Sequence, residues 1–248
     1  METSFIFRRA LQAMVPAVLL LTSCGKDDDP VTPVVDQGRI LVSHAAAAAN
    51  TAVTVFVNDQ QGGSLTYGQT GSYFSINAGT PTLRINNGAQ VVASKTPTIA
   101  KDQSYSAFVY SPLSSIGSAD LLTVSDDLTA PATGTAKVRI VHLGVGAASP
   151  VRLLIPASTP TGSPTDLTTD VAFAAASPFA AINAGPVSLS VVTGTARTQV
   201  VVVGDGTGTG TGTKTFESGK IYTVLVRGIS GSAVPPAQQI QAVIIQNN

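Results

Sequence analysis

Arg39-Ile40-Leu41-Val42-Ser43-His44 is the stretch that decides the fold, because its pattern returns later in the chain as Lys137-Val138-Arg139-Ile140-Val141-His142. A second motif, Ile76-Asn77-Ala78-Gly79, recurs unchanged as Ile182-Asn183-Ala184-Gly185. Motifs that return in the same order indicate an internal duplication. The sequence therefore predicts two copies of one structural unit.

The spacing between equivalent residues shows where the second copy is longer. It grows from 98 residues at the histidines, through 106 at the glycines of the second motif, to 117 between Tyr105 and Tyr222. Insertions collect in surface loops rather than in packed strands. The two gains fall at residues 159–164 and 204–214, and both segments are therefore predicted to be loops.

The composition favours an all-β fold. Only 11% of the residues are charged, 44% are apolar and tryptophan is absent, while valine and threonine, which suit pleated sheets, are abundant. Asn87-Gly88 has the composition of a two-residue hairpin turn. The predicted strands are 39–44, 52–58, 72–77, 81–86, 90–95, 103–111 and 119–125 in the first copy, and 137–142, 150–155, 179–183, 187–193, 197–203, 220–227 and 239–246 in the second.

Six or seven short strands separated by turns, in a segment of about 100 residues, are typical of a β-sandwich. The predicted fold is all-β, with two tandem Ig-like antiparallel β-sandwich domains at residues 38–130 and 135–248. They follow a cleaved signal peptide and a flexible linker.

The start of the chain predicts export. Arg8 and Arg9 precede an apolar stretch of 12 residues, at positions 10–21, which is too short for the roughly 20 residues of a membrane-spanning helix. A basic start, a short apolar core and small residues before a cleavage point are typical of a secretory signal peptide. Residues 1–23 are therefore predicted to be removed. Residues 24–37, which carry prolines and aspartates, are predicted to form an extended acidic tether.

Leu21-Thr22-Ser23-Cys24 resembles the lipobox of bacterial lipoproteins. The resemblance implies that Cys24, the only cysteine, begins the mature chain and carries acyl chains such as palmitate, so that the membrane is its partner. Two or more acyl chains anchor stably where one is marginal.

The polar segment after the cysteine indicates where the protein is finally located. Lys26-Asp27-Asp28-Asp29 resembles the signal by which Bacteroidota move lipoproteins to the outer face of the outer membrane. The resemblance implies a lipid-anchored protein of the outer membrane, displayed at the cell surface. The alternative is an acidic, solvated linker with no signalling role.

The repeated unit also resembles a known family. A strand that ends in histidine, a loop of small residues, alternating valines as in Val53-Thr54-Val55, an Ala-Gly turn and a tyrosine-containing strand are similar to the DUF4397 domain. That family has no known function and is common in secreted and lipid-anchored bacterial proteins. The resemblance implies two tandem copies over about residues 38–248. The chain departs from the family pattern at residues 45–49, which are all alanine.

No motif predicts a catalytic residue, a cofactor or a metal site. His44 and His142 occupy equivalent positions without the further His, Asp or Glu neighbours of a metal site, so each is predicted to make a structural hydrogen bond to a loop. The glycine-rich tract at residues 204–212 leads from one strand into another, whereas a nucleotide-binding loop opens a helix. It is predicted to be a hairpin loop, and Asp126-Asp127 a turn between domains.

Aromatic side chains offer one possible ligand surface, a platform on which sugar rings stack. Tyr105 and Tyr222 lie in equivalent strands, which favours roles in the core or at a corner of the fold. The candidates for the platform are Tyr67, Tyr73, Phe74, Tyr105, Tyr110 and Tyr222.

The charge balance excludes one class of partner. Without residues 1–23 the chain keeps 12 basic and 13 acidic residues, and a nucleic-acid-binding protein would need a basic face. The sequence predicts a non-catalytic cell-envelope lipoprotein that acts as an adhesion, structural or ligand-binding module toward an extracellular glycan or protein. The alternatives are a glycan-binding accessory protein of a polysaccharide-uptake system and a hydrolase with an unrecognised site.

Overall fold

The computed structural model describes residues 35–115, 117, 119–159, 161–204 and 212–248. The predicted signal peptide, the lipidation site Cys24 and the export residues at 26–29 lie outside the described residues, and so does most of the glycine-rich tract. Residues Val35–Asn248 form one unit that contains both copies of the repeat. Within these described ranges, no helix is long and apolar enough to cross a membrane.

The first copy consists of two four-stranded sheets. Their strand orders are β4-β1-β7-β8 and β3-β2-β5-β6. The eight strands are β1 (Gln37–His44), β2 (Val53–Val57), β3 (Gln60–Leu65), β4 (Phe74–Asn77), β5 (Leu83–Asn87), β6 (Gln90–Lys95), β7 (Ser104–Tyr110) and β8 (Asp120–Asp126).

The second copy repeats this arrangement with longer connections. Its first sheet has the order β12-β9-β18-β19, with β13 also paired to β9, and its second sheet has the order β11-β10-β15-β16. A short pair, β14-β17, is added. The strands are β9 (Thr135–His142), β10 (Val151–Ile155), β11 (Thr165–Asp166), β12 (Ala175–Ala176), β13 (Ala180–Asn183), β14 (Gly185–Val187), β15 (Ser190–Thr193), β16 (Thr198–Val202), β17 (Lys214–Phe216), β18 (Ile221–Arg227) and β19 (Gln241–Gln246).

The prediction of an all-β sandwich fold is confirmed, and one detail of the pairing differs from the predicted antiparallel sheets. In each copy the first strand pairs in parallel with the tyrosine-containing strand, β1 with β7 and β9 with β18. Strand β6, which precedes β7, belongs to the opposite sheet, and β17, which precedes β18, pairs with β14 rather than with β18. Each tyrosine strand is therefore reached by a crossover rather than by a hairpin, and parallel pairing requires a crossover. The Ig-like character and the division into two domains stay predictions.

In the part of the chain that the structure describes, three apolar clusters lie between the main sheets. One lies between the two sheets of the first copy, around Ile40, Val55 and Leu121, and a second lies between the two main sheets of the second copy. The third, which we call the junction, combines both copies. Its buried members are Ala45, Phe108, Tyr110, Val141, Leu143, Leu225 and Val243.

The alternation of side chains along a strand explains how one strand contributes residues to two apolar clusters. In β7, Ala107 and Val109 face the core of the first copy, whereas Phe108 and Tyr110 face the junction, because successive side chains of a strand point to opposite faces. In β18 the six residues before Arg227 are all buried. The sheet that contains β7 therefore packs face to face on the sheet that contains β18.

The observed strands differ from the predicted ones at a few places, two of which contain glycine. The hairpin between β5 and β6 turns at Gly88 and Ala89, one residue later than predicted, with Gly88 at φ 57°. Strand β3 was not predicted, because Gly62-Gly63 is typical of a turn. Four short strands of the second copy, β11, β12, β14 and β17, were also not predicted. Residues 159 and 161–164 contain no strand, as expected for a loop.

Candidate functional site

A buried ion pair lies at the junction and joins the two copies. Arg139 of β9 donates to Asp126 of β8 at 2.5 Å, and the two side chains are 2% and 0% exposed. Arg139 also donates to Thr223 Oγ1 at 3.0 Å and to the carbonyl oxygen of Ser125 at 3.0 Å. The Phe179 ring lies 4.5 Å from the guanidinium carbon. The guanidinium is therefore held on several sides by residues of both copies.

The other oxygen of Asp126 extends this network. It accepts hydrogen bonds from Ser106 Oγ at 2.7 Å and from the Tyr73 hydroxyl at 2.5 Å. Asn247 donates to the Tyr73 hydroxyl at 3.2 Å and accepts from Thr223 at 2.8 Å. The hydrogen bonds thus run from Arg139 through Asp126, Tyr73 and Asn247 to Thr223, which contacts Arg139 again.

The electrostatics of this network oppose its use in proton transfer. Burial, and then the charge of Asp126, raises the pKa of Tyr73 to about 12. Burial lowers the pKa of Arg139, and Asp126 opposes that shift, while an arginine stays protonated in proteins. Because Arg139 and Asp126 neutralise each other and are hydrogen-bonded, the network holds the two copies together.

The neighbouring Asp127 is paired as well. Lys137 of β9 donates to its Oδ2 at 2.7 Å and to Thr129 Oγ1 at 2.7 Å. This hydrogen bond from Lys137 is the main cause that lowers the pKa of Asp127 to about 2. Among the described residues no group of three or more His, Cys, Asp and Glu side chains could hold a metal ion. Asp126 and Asp127 thus each form an ion pair, whereas the sequence predicts only a turn between domains.

His44 has the structural role that the sequence predicts. Its ring is fully buried, Nε2 lies 3.0 Å from the carbonyl oxygen of Thr51, and Nδ1 lies 3.3 Å from the amide nitrogen of Ala46. The carbonyl can only accept and the amide can only donate, so the proton is on Nε2. Burial lowers the pKa of His44, and the hydrogen bond to Thr51 opposes the shift. The neutral ring ties the end of β1 to the loop that follows.

His142 is equally buried but is held differently. Neither ring nitrogen makes a hydrogen bond of normal geometry, and the edge-on ring of Phe173 lies 5.8 Å away. Burial lowers the pKa of His142 to about 4, and only the backbone at Ala148 acts against it. The predicted hydrogen bond to a loop is therefore well formed at His44 and weak at His142.

A second contact between the copies lies near Gly68 and involves Arg227, Tyr67 and His44. The Arg227 guanidinium carbon lies 5.0 Å from the centre of the Tyr67 ring, and the His44 ring lies 6.0 Å from the same centre. Tyr67 Oη and Arg227 Nε are buried without a hydrogen-bond partner in the described part of the chain. Burial lowers the pKa of Arg227 and raises that of Tyr67. The contact is a stacking interaction that packs a loop of the first copy on β18.

The tyrosines at equivalent positions have equivalent roles. The hydroxyl of Tyr105 accepts a hydrogen bond from the backbone of Ala100 at 3.0 Å, and that of Tyr222 accepts one from Glu217 at 3.2 Å. Each donor lies five residues upstream, which is the arrangement of a tyrosine corner in β-sandwiches. Of the six aromatic residues considered for sugar stacking, Tyr110 and Tyr222 are buried and the other four are half-buried.

Open grooves lie on the surface of the described chain. Two of them, of 590 and 520 Å³, adjoin β8, and the second is lined by Arg139, whose charge is already paired. A third, of 340 Å³, lies between β3 and β4, and we call it the β3 groove. Its lining includes Val42, Val55, Gly62, Gly63, Leu65 and Phe74. Sequence reasoning missed this groove.

The fold and this geometry define an all-β sandwich protein in which the same order of strands occurs twice. Residues 28–150 match the model of the DUF4397 family, which is described as a domain of unknown function. The match covers the first copy and ends one residue before β10 of the second. No curated protein matches the chain.

Solved structures show only a distant likeness. A C-terminally truncated tip fimbrial protein Mfa3 from Porphyromonas gingivalis is 9% identical with a TM-score of 0.27, over 85% of this chain and 99% of that one. A candidate cell adhesion protein from Bacteroides uniformis is 9% identical with a TM-score of 0.28, over 86% and 99% of the two chains. These similarities are too distant to carry a functional argument.

Replacing Arg139 with methionine should lower the free energy of unfolding by about 3–5 kcal/mol, because it leaves the Asp126 charge buried without a partner. Chemical denaturation measures this loss. The double variant Arg139→Met/Asp126→Asn should recover part of it, since no unpaired charge remains. Lys137→Met, which removes the more exposed pair with Asp127, should cost about 1 kcal/mol or less. Equal losses for Arg139→Met and Lys137→Met would contradict the assigned role of the buried pair.

Stability should fall as the pH drops from about 6.5 toward 4. The pKa of His142 is about 4 in the folded chain and about 6.5 when unfolded, so over this range the unfolded state binds the proton and the folded state does not. One pKa unit corresponds to about 1.4 kcal/mol, which gives a loss of about 2–3 kcal/mol. Denaturation of the protein and of His142→Gln at pH 7 and 4.5 tests this. The loss should be smaller in the variant, and an unchanged loss would rule out His142 as its source.

Proposed function

We propose that this protein is a non-catalytic lipoprotein of the cell envelope, anchored in the outer membrane through Cys24, displayed at the cell surface and acting as an adhesion or binding module. The observation that carries the proposal is the motif Leu21-Thr22-Ser23-Cys24 behind a short apolar leader. It stands ahead of an all-β unit that begins at Val35. A lipid on Cys24 would place that unit next to a membrane with an acidic tether between them.

The charged and titratable groups at the junction serve packing within the described unit. Arg139 and Asp126 neutralise each other inside the junction. Burial lowers the pKa of both histidines, so at neutral pH the rings are uncharged side chains within the packed fold. A scaffold of two sandwiches fixed in one arrangement suits a protein that presents a surface to a partner.

Tandem copies of the family domain are part of the same proposal. The second copy has the strand order of the first, including the parallel pair and the tyrosine corner. We therefore infer that residues 135–248 are a diverged second DUF4397 unit, placed after the first at residues 38–130. The four aspartates in residues 24–37 keep the tether hydrated and extended.

Replacing Cys24 with alanine should abolish acylation, because the sulfur is the atom that carries the lipid. In cells fed a clickable palmitate analogue, the protein should be labelled and should sediment with membranes. The Cys24→Ala variant should be unlabelled, and it should be soluble or retain its leader. Ser23→Ala is the matched control and should behave like the unchanged protein. Labelling that persists in Cys24→Ala would refute the anchor.

Surface display is measured separately, by protease treatment of intact cells. Protease added to intact cells should degrade the anchored protein, and replacing Lys26, Asp27, Asp28 and Asp29 with alanine should protect it without changing acyl labelling. Equal degradation of both forms would show that these four residues do not direct export.

Adhesion is tested on the same cells. Cells that display the protein should adhere to surfaces coated with extracellular protein extracts more strongly than cells that express Cys24→Ala. A glycan array with the purified protein tests the glycan-binding alternative, for which none of the six candidate aromatic residues is well exposed. Selective glycan binding would move the proposal to that alternative, and the absence of both kinds of binding would overturn it.

A further inference from the structure

The junction is built from equivalent positions of the two copies. The register of the strands defines these positions, because β1 pairs with β7 and β7 with β8 as β9 pairs with β18 and β18 with β19. Eight apolar residues of the junction form four matched pairs, which are Ala45 and Leu143, Phe108 and Leu225, Leu122 and Val243, and Val124 and Ile245. Each copy therefore presents the same face to the other.

The ring contacts across the junction are reciprocal. Tyr110, at the end of β7, packs edge-on against Phe173 of the second copy, with ring centres 5.9 Å apart. Arg227, at the end of β18, lies over the ring of Tyr67 of the first copy at 5.0 Å. Phe173 and Tyr67 are equivalent, because the residue after each donates its amide to the carbonyl of the histidine that ends the first strand. Reciprocal contacts of this kind define a twofold, self-complementary interface.

The hydrogen bonds at the centre of the junction repeat in the same way. Ser106 Oγ donates to Asp126 at 2.7 Å, and Thr223 Oγ1 donates to Asn247 at 2.8 Å. The two donors and the two acceptors occupy equivalent positions of the paired strands. The approximate twofold symmetry therefore extends to individual hydrogen bonds.

One contact breaks this symmetry. Arg139 of the second copy forms the buried ion pair with Asp126 of the first. The equivalent positions in the opposite direction are Leu41 of the first copy and Asn247 of the second, which are uncharged and each 3% exposed. At these positions the described chain therefore has one ion pair, where exact symmetry would place two or none.

This asymmetry separates the possible pairings of the two copies. Two first copies packed through this face would place Leu41 opposite Asp126 and bury the carboxylate without a cation. Two second copies would place Arg139 opposite Asn247 and bury the guanidinium without an anion. Leaving one member of a buried ion pair without its partner is strongly destabilising. Only a first copy packed on a second copy satisfies both charges.

We propose that the junction face is a self-recognition surface of the repeat, and that Arg139 and Asp126 make it selective for a first copy paired with a second copy. The apolar residues supply contact area that either copy offers, whereas the two charges reject the wrong copy. Specificity between similar partners commonly needs such a repulsive element in addition to attractive contacts. Chains at high local concentration are thereby prevented from associating through like copies. The inference goes beyond the proposed function and is independent of the lipid anchor and of adhesion.

The test uses the whole chain with a protease site inserted after Ala130, an exposed residue between β8 and β9. Protein with an affinity tag ahead of the first copy and untagged protein are cut, mixed in denaturant and refolded together. The tagged first copy should capture untagged second copy at least about a hundredfold more than untagged first copy, because a like pair leaves buried charges without partners. Equal capture of the two would overturn the proposal.

A double variant removes the proposed source of selectivity. Arg139→Leu/Asp126→Asn gives the two positions the side chains of their equivalents, Leu41 and Asn247, so that every pairing makes the same contacts there. The tagged first copy should then capture untagged first and second copies in comparable amounts. Selectivity that persists in this variant would assign it to other residues and overturn the role of the ion pair.

The matched control removes the other ion pair between the copies. Lys137 and Asp127 have the same charges but are more exposed, with side chains 18% and 55% accessible. Lys137→Met/Asp127→Asn should therefore keep the selectivity of the unchanged protein. Loss of selectivity in this control as well would show that any charge change has the same effect, which contradicts the specific role of Arg139 and Asp126.

Uncut chains give a second measurement that does not depend on the refolding of fragments. Refolded over a range of concentrations, Arg139→Leu/Asp126→Asn should show a fraction of chain dimers in sedimentation that grows with concentration, because like copies of different chains can now pair. The unchanged protein and the control variant should show less dimer at each concentration, and thermal melting verifies that all three are folded. Equal dimer fractions in the three proteins would overturn the proposal.

Discussion

The arrangement of the whole unit depends on one buried charge pair between Arg139 and Asp126. Burying either charge alone would be costly, so the sheets that carry them are stable only where the two side chains meet. Phe108 and Leu225 supply apolar contact area around the pair, but apolar contacts are not directional. The ion pair and its hydrogen bonds to Tyr73 and Thr223 form only where the strands that carry them are aligned.

Much of the fold could be predicted because strand alternation and duplication are local signals. The predicted strands overlap β1, β2 and β4 to β8, and the repeat of His44 at His142 identified the equivalent strands. The pairing of β1 with β7 was not predictable in this way, because alternation shows that a segment is a strand without showing its neighbour. The junction could have been predicted from β7. Phe108 and Tyr110 alternate there with Ala107 and Val109, so the strand is apolar on both faces.

The candidate sites were harder to predict because they depend on differences between equivalent positions. Leu41 of the first copy is replaced by Arg139 in the second, and this places a charge in the buried C-terminal part of β9. Leu167 pairs with Leu153 in the second copy, where Gly63 pairs with Val55 in the first. The strand order is the same in both copies, and the replacement at Arg139 adds an ion pair between them. Differences between equivalent positions of the two copies can be recognised only when the register of the strands is known.

The place of β1 in its sheet has a mechanical consequence. It is the first strand of the described unit, and it lies between β4 and β7 rather than at an edge. A pull from the N-terminal side, where the proposed anchor lies, would run along β1 and load its six residue pairs with β7 together. Backbone hydrogen bonds that are loaded in shear share the force, whereas those of an edge strand that is pulled away sideways break one after another. An anchor at Cys24 would therefore pull on a strand in the interior of its sheet rather than on an edge strand.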